Sequence, residues 1–361
     1  MKLSDICKYR KEKIELKKIN KEQYISTDNM LPNFAGVGEI KSFPNVEKVN
    51  KYYRNDILLS NIRPYFKKMI ISDTESGCSS DILVIKTIGK DVNPKFLYYR
   101  LMADDFFDYV ILTSKGTKMP RGDKDAIMNF ELFFPNIRIQ NKIVEILENI
   151  DKKIKLNNQI NNNLYDISKQ LLLKYLAENN NSEEINISEL LNVFTGKKNA
   201  NETTPTGKYK FFSCAPESLL SDTYLYDGAA IIVAGNGAYT GRTRFYDGKF
   251  ELYQRTYGLT LKEGLNKNNI YGLYVFMKAI FEPDKMGGTH GSAIPYIVLS
   301  DLTNYKLKYN KKEFNKFSNL VSYNIKIIQE NEKSNEQLEQ LRDTLLPKLM
   351  NGEINLDNIE I

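Results

Sequence analysis

The 361-residue sequence contains no tryptophan, three cysteines and a single histidine, and each scarcity closes off a class of chemistry. One histidine cannot build a histidine-based metal cluster within one chain, so no metal site is expected. Cys7, Cys78 and Cys214 are odd in number, far apart and free of any CxxC pair. That pattern argues against a disulfide framework or a zinc site and for reduced thiols in the cytoplasm. No apolar run reaches the roughly 18 residues of a membrane span. The opening "MKLSDICKYRKEKIELKK" lacks the apolar core and cleavage site of a secretory signal, so secretion is not expected, and with no span no membrane partner is expected either. Nor does one sign of charge dominate. Fifty-one basic against 45 acidic residues leave a net +6, which allows a polyanionic partner without demanding one. What is plentiful is tyrosine (23), phenylalanine (18) and enough hydrophobic residues (42%) for two or three domains with their own cores.

Catalytic signatures are equally sparse. A Ser-His-Asp arrangement would have to use His290, and no GxSxG nucleophile elbow occurs. "GNGAYTG" (235–241) has its third glycine one place late for a dinucleotide loop, and "RTRFYDGKFEL" after it continues as strands, so it reads as a tight hairpin turn. There is no GxxxxGK[ST] phosphate loop. "NIRPY" (61–65) lacks the proline pair of the amino-methyltransferase NPPY, and the ExK at Glu15 and Lys17 has no PD stretch beside it. The chain reads as non-catalytic, with no cofactor of its own.

The chain is written twice. A shift of 175 residues carries "TSKGTKMP" (113–120) onto "GTHGSAIP" (288–295), placing Lys115 on His290, Gly116 on Gly291 and Pro120 on Pro295. The same shift carries Asn93, Phe96, Tyr99 and Met102 onto Asn268, Tyr271, Tyr274 and Met277. It also carries Ile127, Phe130 and Leu132 onto Leu302, Tyr305 and Leu307. "KLSDI" (2–6) resembles "NISEL" (186–190) at a shift of 184, so insertions and deletions intervene. Several windows in one order indicate a duplication.

A long heptad pattern follows each half. Ile139, Ile143, Ile146, Ile150, Lys153, Asn157, Ile160, Leu164, Ile167 and Leu171 alternate four and three apart. So do Phe317, Leu320, Asn324, Ile327, Asn331, Ser334, Leu338, Leu341 and Leu345. This 3.5-residue period is the seam of a coiled coil. Each helix should run about 40 residues, or roughly 60 Å. Two such helices can cover each other's apolar stripes. Their polar mid-helix positions align in either a parallel or an antiparallel pair. The expected class is α+β: two repeated globular parts, short strands and turns with one short helix late in each (about 93–107 and 268–281), separated by two long helices. The expected boundaries are 1–137, 138–180, 181–312 and 313–352, with a tail over 353–361.

The remaining chemistry lies in loops suited to base edges, because arginine pairs bidentately with guanine and asparagine with adenine. In the first half the candidates are Asn61, Arg63, Tyr65, Lys67, Lys68, Ser114, Lys115, Thr117, Lys118 and Arg121. In the second they are Asn236, Tyr239, Thr240, Arg242, Arg244, Thr289, His290 and Ser292. If these loops read DNA, Lys115 and His290 should differ, since each copy would read its own sequence on a common scaffold.

The half-starts "LSDI" and "ISEL", the strand "NDILLS", the pair "GTKMP…DAIMNFELFFP" and "GSAIP…DLTNYKLKY", and the terminal "LRDTLLPKLMNGEI" together resemble the specificity subunit of a type I restriction–modification system. The resemblance implies two target recognition domains and two spacer helices paired antiparallel. It implies a bipartite, asymmetric double-stranded DNA target and two docked DNA methyltransferase subunits. S-adenosylmethionine would be used in the methyltransferase subunits, and ATP and Mg in a restriction subunit where one is present. On this reading Ile143, Ile146, Ile150, Asn157, Ile160 and Leu164 form the spacer seam with Leu320, Ile327, Asn331, Leu338, Leu341 and Leu345. Two other readings of the residues stay open: a chain that is itself a methyltransferase or nuclease, and a coiled-coil scaffold with no nucleic-acid role.

Overall fold

The computed structural model describes residues 1–40, 42–281, 295–354 and 356. Seven short strands open the chain: β1 (Cys7–Tyr9), β2 (Lys13–Glu15), β3 (Lys48–Tyr52), β4 (Ile57–Ser60), β5 (Met69–Ile71), β6 (Ser76–Cys78) and β7 (Ile82–Thr87). Helices α1 (Pro94–Met102), α2 (Asp104–Leu112), α3 (Lys124–Met128) and the long α4 (Ile137–Glu178) follow. The second half runs β8 (Glu184–Asn186), β9 (Leu191–Thr195), β10 (Tyr209–Phe212), β11 (Leu219–Ser221), β12 (Tyr226–Ala234), β13 (Thr243–Leu252) and β14 (Thr256–Leu261). It closes with α5 (Asn269–Ile280), α6 (Leu299–Thr303), β15 (Lys306–Lys308) and α7 (Lys311–Met350). Contacts divide the chain into two compact units, Met1–Ile154 with the chain from Glu336 onward, and Lys155–Asn335. Helices α4 and α7 each give one segment to either unit.

In the first unit an antiparallel sheet has the order β1-β7-β4-β5, with Cys7 opposite Thr87, Ile57 opposite Ile85 and Leu59 opposite both Leu83 and Met69. In the second, the order β9-β14-β12-β13 recurs inside a six-stranded sheet. Leu191 faces Leu261, Ile231 faces Leu259, and Val233 faces both Tyr257 and Thr243. These are the same pairs moved by 174 residues, or by 184 for the first strand. The half-starts repeat too. Leu3 N–H donates to Phe130 O and Ile187 N–H to Tyr305 O, each at 2.9 Å. Asp5 and Glu189 accept from the backbone N–H of Lys2 and Asn186. The duplication read from scattered residues is therefore a duplication of topology.

Alternation along the strands supplies each core. Ile57, Leu59, Leu83 and Ile85 face one way and pack on Phe96, Phe106 and Phe107 of α1 and α2. Leu58, Ile82 and Val84 face the other, against Tyr52 and Cys78. Each fully buried aliphatic or aromatic side chain contributes about 1.5–3 kcal/mol. Asn93 starts α1 by accepting from the N–H groups of Lys95 and Phe96, with Pro94 as its first residue. The single short helix expected over 93–107 is two helices. The chain is extended at Ala103, and Asp105 takes Arg100 in a bidentate ion pair at the start of α2. In the second unit one helix, α5, does run unbroken, its buried face against Phe245 and Phe314.

Within each unit the α4 and α7 segments run antiparallel. In the first, Leu346, Leu349 and Met350 share a core with Ile143, Val144 and Leu147, and Arg342 donates to Asp151 at 3.1 Å. In the second, Tyr175 lies against Phe314 and Phe317, and Asn324 Nδ2 donates to Ser168 Oγ at 3.1 Å. Nearer the middle of both helices Asn331 donates to Asn161 (2.8 Å), Asn157 to Asn335 (2.8 Å) and Asn335 to Asn158 (2.9 Å). Of the expected polar seam positions, Asn157 and Asn331 join this ladder of amides, with Asn335, Asn158 and Asn161 as partners, while Lys153 is exposed.

The seam differs from the expected one at alternate positions. Ile143, Ile150 and Asn157 are buried, and Ile146, Ile160, Leu164, Asn331, Leu338 and Leu345 are half-buried. Leu320, Ile327 and Leu341, however, are 57%, 42% and 47% exposed. The buried members are Leu147, Val321 and Ile328, each one residue later, while half-buried Arg342 stands beside Leu341. A heptad needs apolar residues at spacings of three and four. After Ile143 either Ile146 or Leu147 satisfies it, and Leu320–Val321 and Ile327–Ile328 offer the same choice. The partner helix and the cores decide it.

Candidate nucleic-acid interface

The loop 61–68 joins β4 to β5. Asn61 N–H donates to Asp81 O (2.8 Å), Arg63 N–H to Pro120 O (2.8 Å) and Gly122 N–H to Asn61 O (3.2 Å). The last two bonds tie it to the loop 113–122, itself closed by reciprocal 2.9 Å bonds between Lys115 and Arg121, with Gly116 at φ +96°. The second unit builds the same frame around 235–242. Gly235 N–H donates to Arg255 O (2.9 Å), Gly237 N–H to Pro295 O (3.1 Å) and Ile297 N–H to Gly235 O (2.8 Å). The correspondence fixes an alignment: Arg63 stands on Gly237, Tyr65 on Tyr239, Lys67 on Gly241 and Lys68 on Arg242. The backbone agrees, with φ +50° and +48° at Arg63 and Lys67 and φ +86° and +85° at the two glycines.

On this frame the expected residues fall into two groups. Several have their polar atoms occupied or enclosed by the fold. Asn61 is buried. Thr240 is buried and donates from Oγ1 to the carbonyls of Gly237 and Pro295. Ser114 Oγ bonds Ile111 O at 2.7 Å. Arg244 reaches the carbonyls of Ala215 and Pro216, with its guanidinium over Phe212 and its basicity lowered by burial and by nearby Arg242. These groups set loop shape. The other group faces outward: Arg63, Tyr65, Lys115, Thr117, Lys118 and Arg121 in the first unit, and Tyr239 in the second with half-buried Arg242 over its ring at 4.4 Å. Asn236 is half-buried, its Oδ1 accepting from Cys214 Sγ at 3.0 Å. Thr289, His290 and Ser292 lie outside the described residues.

Electrostatics adds partners that sequence reasoning missed. Lys67 pairs with Asp104 at 2.5 Å, Lys115 with Asp123, and Arg121 with Asp81 at 2.9 Å. Lys68 Nζ is held on Thr27 O at 2.7 Å, and burial lowers its basicity. The Lys115 ammonium, helped by two backbone N–H groups at the start of α3, holds the Asp123 carboxyl below its usual range. Phe66, absent from the expected set, is 38% exposed, with its ring 4.7 Å from that of Tyr65. Its adjacency to Tyr65 was the only signal available. Among the described residues no three or more His, Cys, Asp or Glu side chains gather as a metal-binding group, and no helix is long and apolar enough to cross a membrane.

Comparison with known proteins gives this doubled frame a family. The sequence model of the type I restriction modification DNA specificity domain matches residues 1–165 and again 179–340. The chain belongs to that family. Two curated relatives are the type I restriction enzyme EcoDI specificity subunit of Escherichia coli, 34% identical over 119 residues, and the HindI specificity subunit of Haemophilus influenzae, 26% identical over 184. Those matches cover 33% and 49% of this chain but only 25% and 40% of the relatives' own length. Among solved structures, the S subunit of a type I restriction–modification system from M. genitalium aligns over 97% of this chain and 95% of its own, with a TM-score of 0.62 at 17% identity. That likeness speaks for the fold alone. The two spans matched by the specificity-domain model each hold one copy of the loop frame, over 61–68 and 235–242.

Proposed function

We propose that this chain is the non-catalytic, sequence-specific DNA-recognition subunit of a type I restriction–modification complex. Residues 1–137 and 181–312 act as two target recognition domains, each reading one half of a bipartite, asymmetric duplex target. Residues 138–180 and 313–352 act as spacer helices, and 353–361 as a tail. The observation that carries this reading is one loop frame built twice and dressed with different side chains. Pro120 and Pro295 accept the equivalent backbone bond, while Arg63 stands where the second copy has Gly237.

The physics supports it. Lysines such as Lys118 contribute position through phosphate contacts, and arginine, asparagine and tyrosine at the loop edges contribute sequence. Helices of 42 and 40 residues can hold two readers at a fixed spacing, which a flexible linker would not. The asparagine ladder fits a spacer whose register must be single-valued, because polar seam residues trade stability for register. Two methyltransferase subunits, working with S-adenosylmethionine, supply the methyl transfer. ATP and Mg serve a restriction subunit where the complex has one, and the assembly works in the cytoplasm.

The test is a domain exchange. Residues 1–137 are replaced by the first recognition domain of another specificity subunit, and the methylated motif is sequenced in cells carrying the methyltransferase. Half of the motif should change and half should persist; a motif unchanged in both halves defeats the reading.

A further inference from the structure

Resting on that reading, we propose that Arg63 is the guanine-reading residue of the first recognition domain. Its guanidinium donates to O6 and N7 of one guanine in the half-target. Four observations converge on this side chain. Arg63 occupies the left-handed region, φ +50° and ψ +64°, which favours glycine, admits asparagine and disfavours most other residues. The turn itself does not require arginine, because the second unit closes it with Gly237, at φ +86° and with the equivalent bond to Pro295. Pro64, next in the chain, steers residue 63 away from right-handed helix, and the Pro64–Phe66 turn that follows is buried only at the proline. An arginine kept where glycine suffices points to a use for its side chain.

The side chain is also uncommitted. Arg63 is exposed and has no side-chain hydrogen bond or ion pair among the described residues. The other cations of the two joined loops mostly have partners: Lys67 on Asp104, Lys68 on Thr27 O, Lys115 on Asp123, Arg121 on Asp81. Lys118 is the other one without a partner among the described residues, and its point charge suits a phosphate. The planar fork of Arg63 matches the paired acceptors on guanine's major-groove edge, which lysine matches less well. Tyr65 and Phe66, 48% and 38% exposed, stand beside it as apolar contacts for the neighbouring base step.

The experiment uses the chain assembled with its methyltransferase subunits and duplexes carrying the methylated motif. Each guanine of the half-target read by residues 1–137 is replaced in turn by 7-deazaguanine, which lacks the N7 acceptor. Wild type should lose about 10- to 100-fold in affinity at one guanine, about 1.4–2.7 kcal/mol at 1.36 kcal/mol per tenfold. Arg63→Gly should bind that substituted duplex and the normal one equally, with a melting temperature no lower than wild type, since glycine accepts the backbone without strain. Arg63→Asn, which also tolerates this backbone, should behave the same way. A uniform loss across all duplexes makes Arg63 a phosphate anchor and overturns the proposal. So does an unchanged preference, and so does a lower melting temperature in both variants. If the wild-type complex binds a duplex of unrelated sequence as tightly as the motif, the DNA-recognition reading fails; if it prefers the motif but no 7-deazaguanine duplex is weakened, only this proposal fails. If it discriminates and Arg63→Gly does so identically, only this proposal fails.

Discussion

The asparagine layer between α4 and α7 gives a sharply ordered prediction. Asn157 and Asn335 are 1% and 7% exposed. Asn157 Nδ2 donates to Asn335 Oδ1 at 2.8 Å, while Asn335 Nδ2 donates to Asn158 at 2.9 Å, so Asn335 is engaged on both sides. Asn157 Oδ1, by contrast, is buried without a partner among the described residues. The two single leucine substitutions are therefore unequal. Asn157→Leu removes an acceptor already unsatisfied and buries new apolar surface, but it takes the donor from Asn335 Oδ1, so the terms largely cancel and the variant should lie within about 1 kcal/mol of wild type. Asn335→Leu strands the whole Asn157 amide. An orphaned buried polar group costs about 1–3 kcal/mol, which new leucine burial only partly offsets, so the net loss should reach about 1–2 kcal/mol. The double variant leaves neither orphan and pairs two leucines, and should exceed wild type by about 2–3 kcal/mol. Urea unfolding of all four proteins, followed by helical circular dichroism, yields the coupling energy. The predicted stability order puts the double variant first and Asn335→Leu last, with Asn157→Leu near wild type between them. Additivity within about 0.5 kcal/mol, or Asn157→Leu as the weaker single variant, would refute the account of the layer.

Three further expectations can be checked together. Gly272→Ala should destabilise by about 1–3 kcal/mol in a thermal melt despite alanine's better helix propensity, because a Cβ there runs into Ser318 Oγ and lies 3.2 Å from Phe314 and Phe317. A native-state thiol reagent at pH 8 should modify Cys214 alone by mass spectrometry. Burial raises Cys7 and Cys78 to about 12, so their thiolate fractions stay small until the pH rises well beyond 8; rapid labelling of either would contradict the core assignment. Asp123→Asn keeps the cap on α3 but releases Lys115, so the salt dependence of DNA affinity at pH 7 should steepen by up to about 0.9 in log–log slope. In wild type the depressed Asp123 carboxyl keeps this pair intact above its ordinary pKa, and the pair is lost as pH falls through the lower folded value. The same release should therefore follow acidification, and not in the variant.

The duplication was legible because glycine, proline and core aromatics recur wherever the backbone demands them: Pro120 with Pro295, Tyr99 with Tyr274. The long helices were legible because a heptad is a local property of one strand of sequence. The outward-facing candidates Arg63, Tyr65 and Tyr239 were found by chemistry and adjacency. Asn61, Thr240, Ser114 and Arg244 looked equally available in the sequence, yet their polar atoms are spent or enclosed within the loops.

Each choice that depends on a distant partner was made by packing. The heptad offered Ile327 or Ile328 and Leu320 or Val321, and packing against α4 and the core buried the second of each pair. The match of Arg63 to Gly237 was hidden because an arginine and a glycine share no side-chain signature. They share only a positive φ and an equivalent carbonyl partner, Pro120 or Pro295. Asp81, Asp104 and Asp123 became partners of Arg121, Lys67 and Lys115 through folding. Periodicity and residue type are encoded locally and survive in a linear reading. Burial, ion pairing and the phase of a seam are set by contacts between segments far apart in the chain, and they exist only once it has folded.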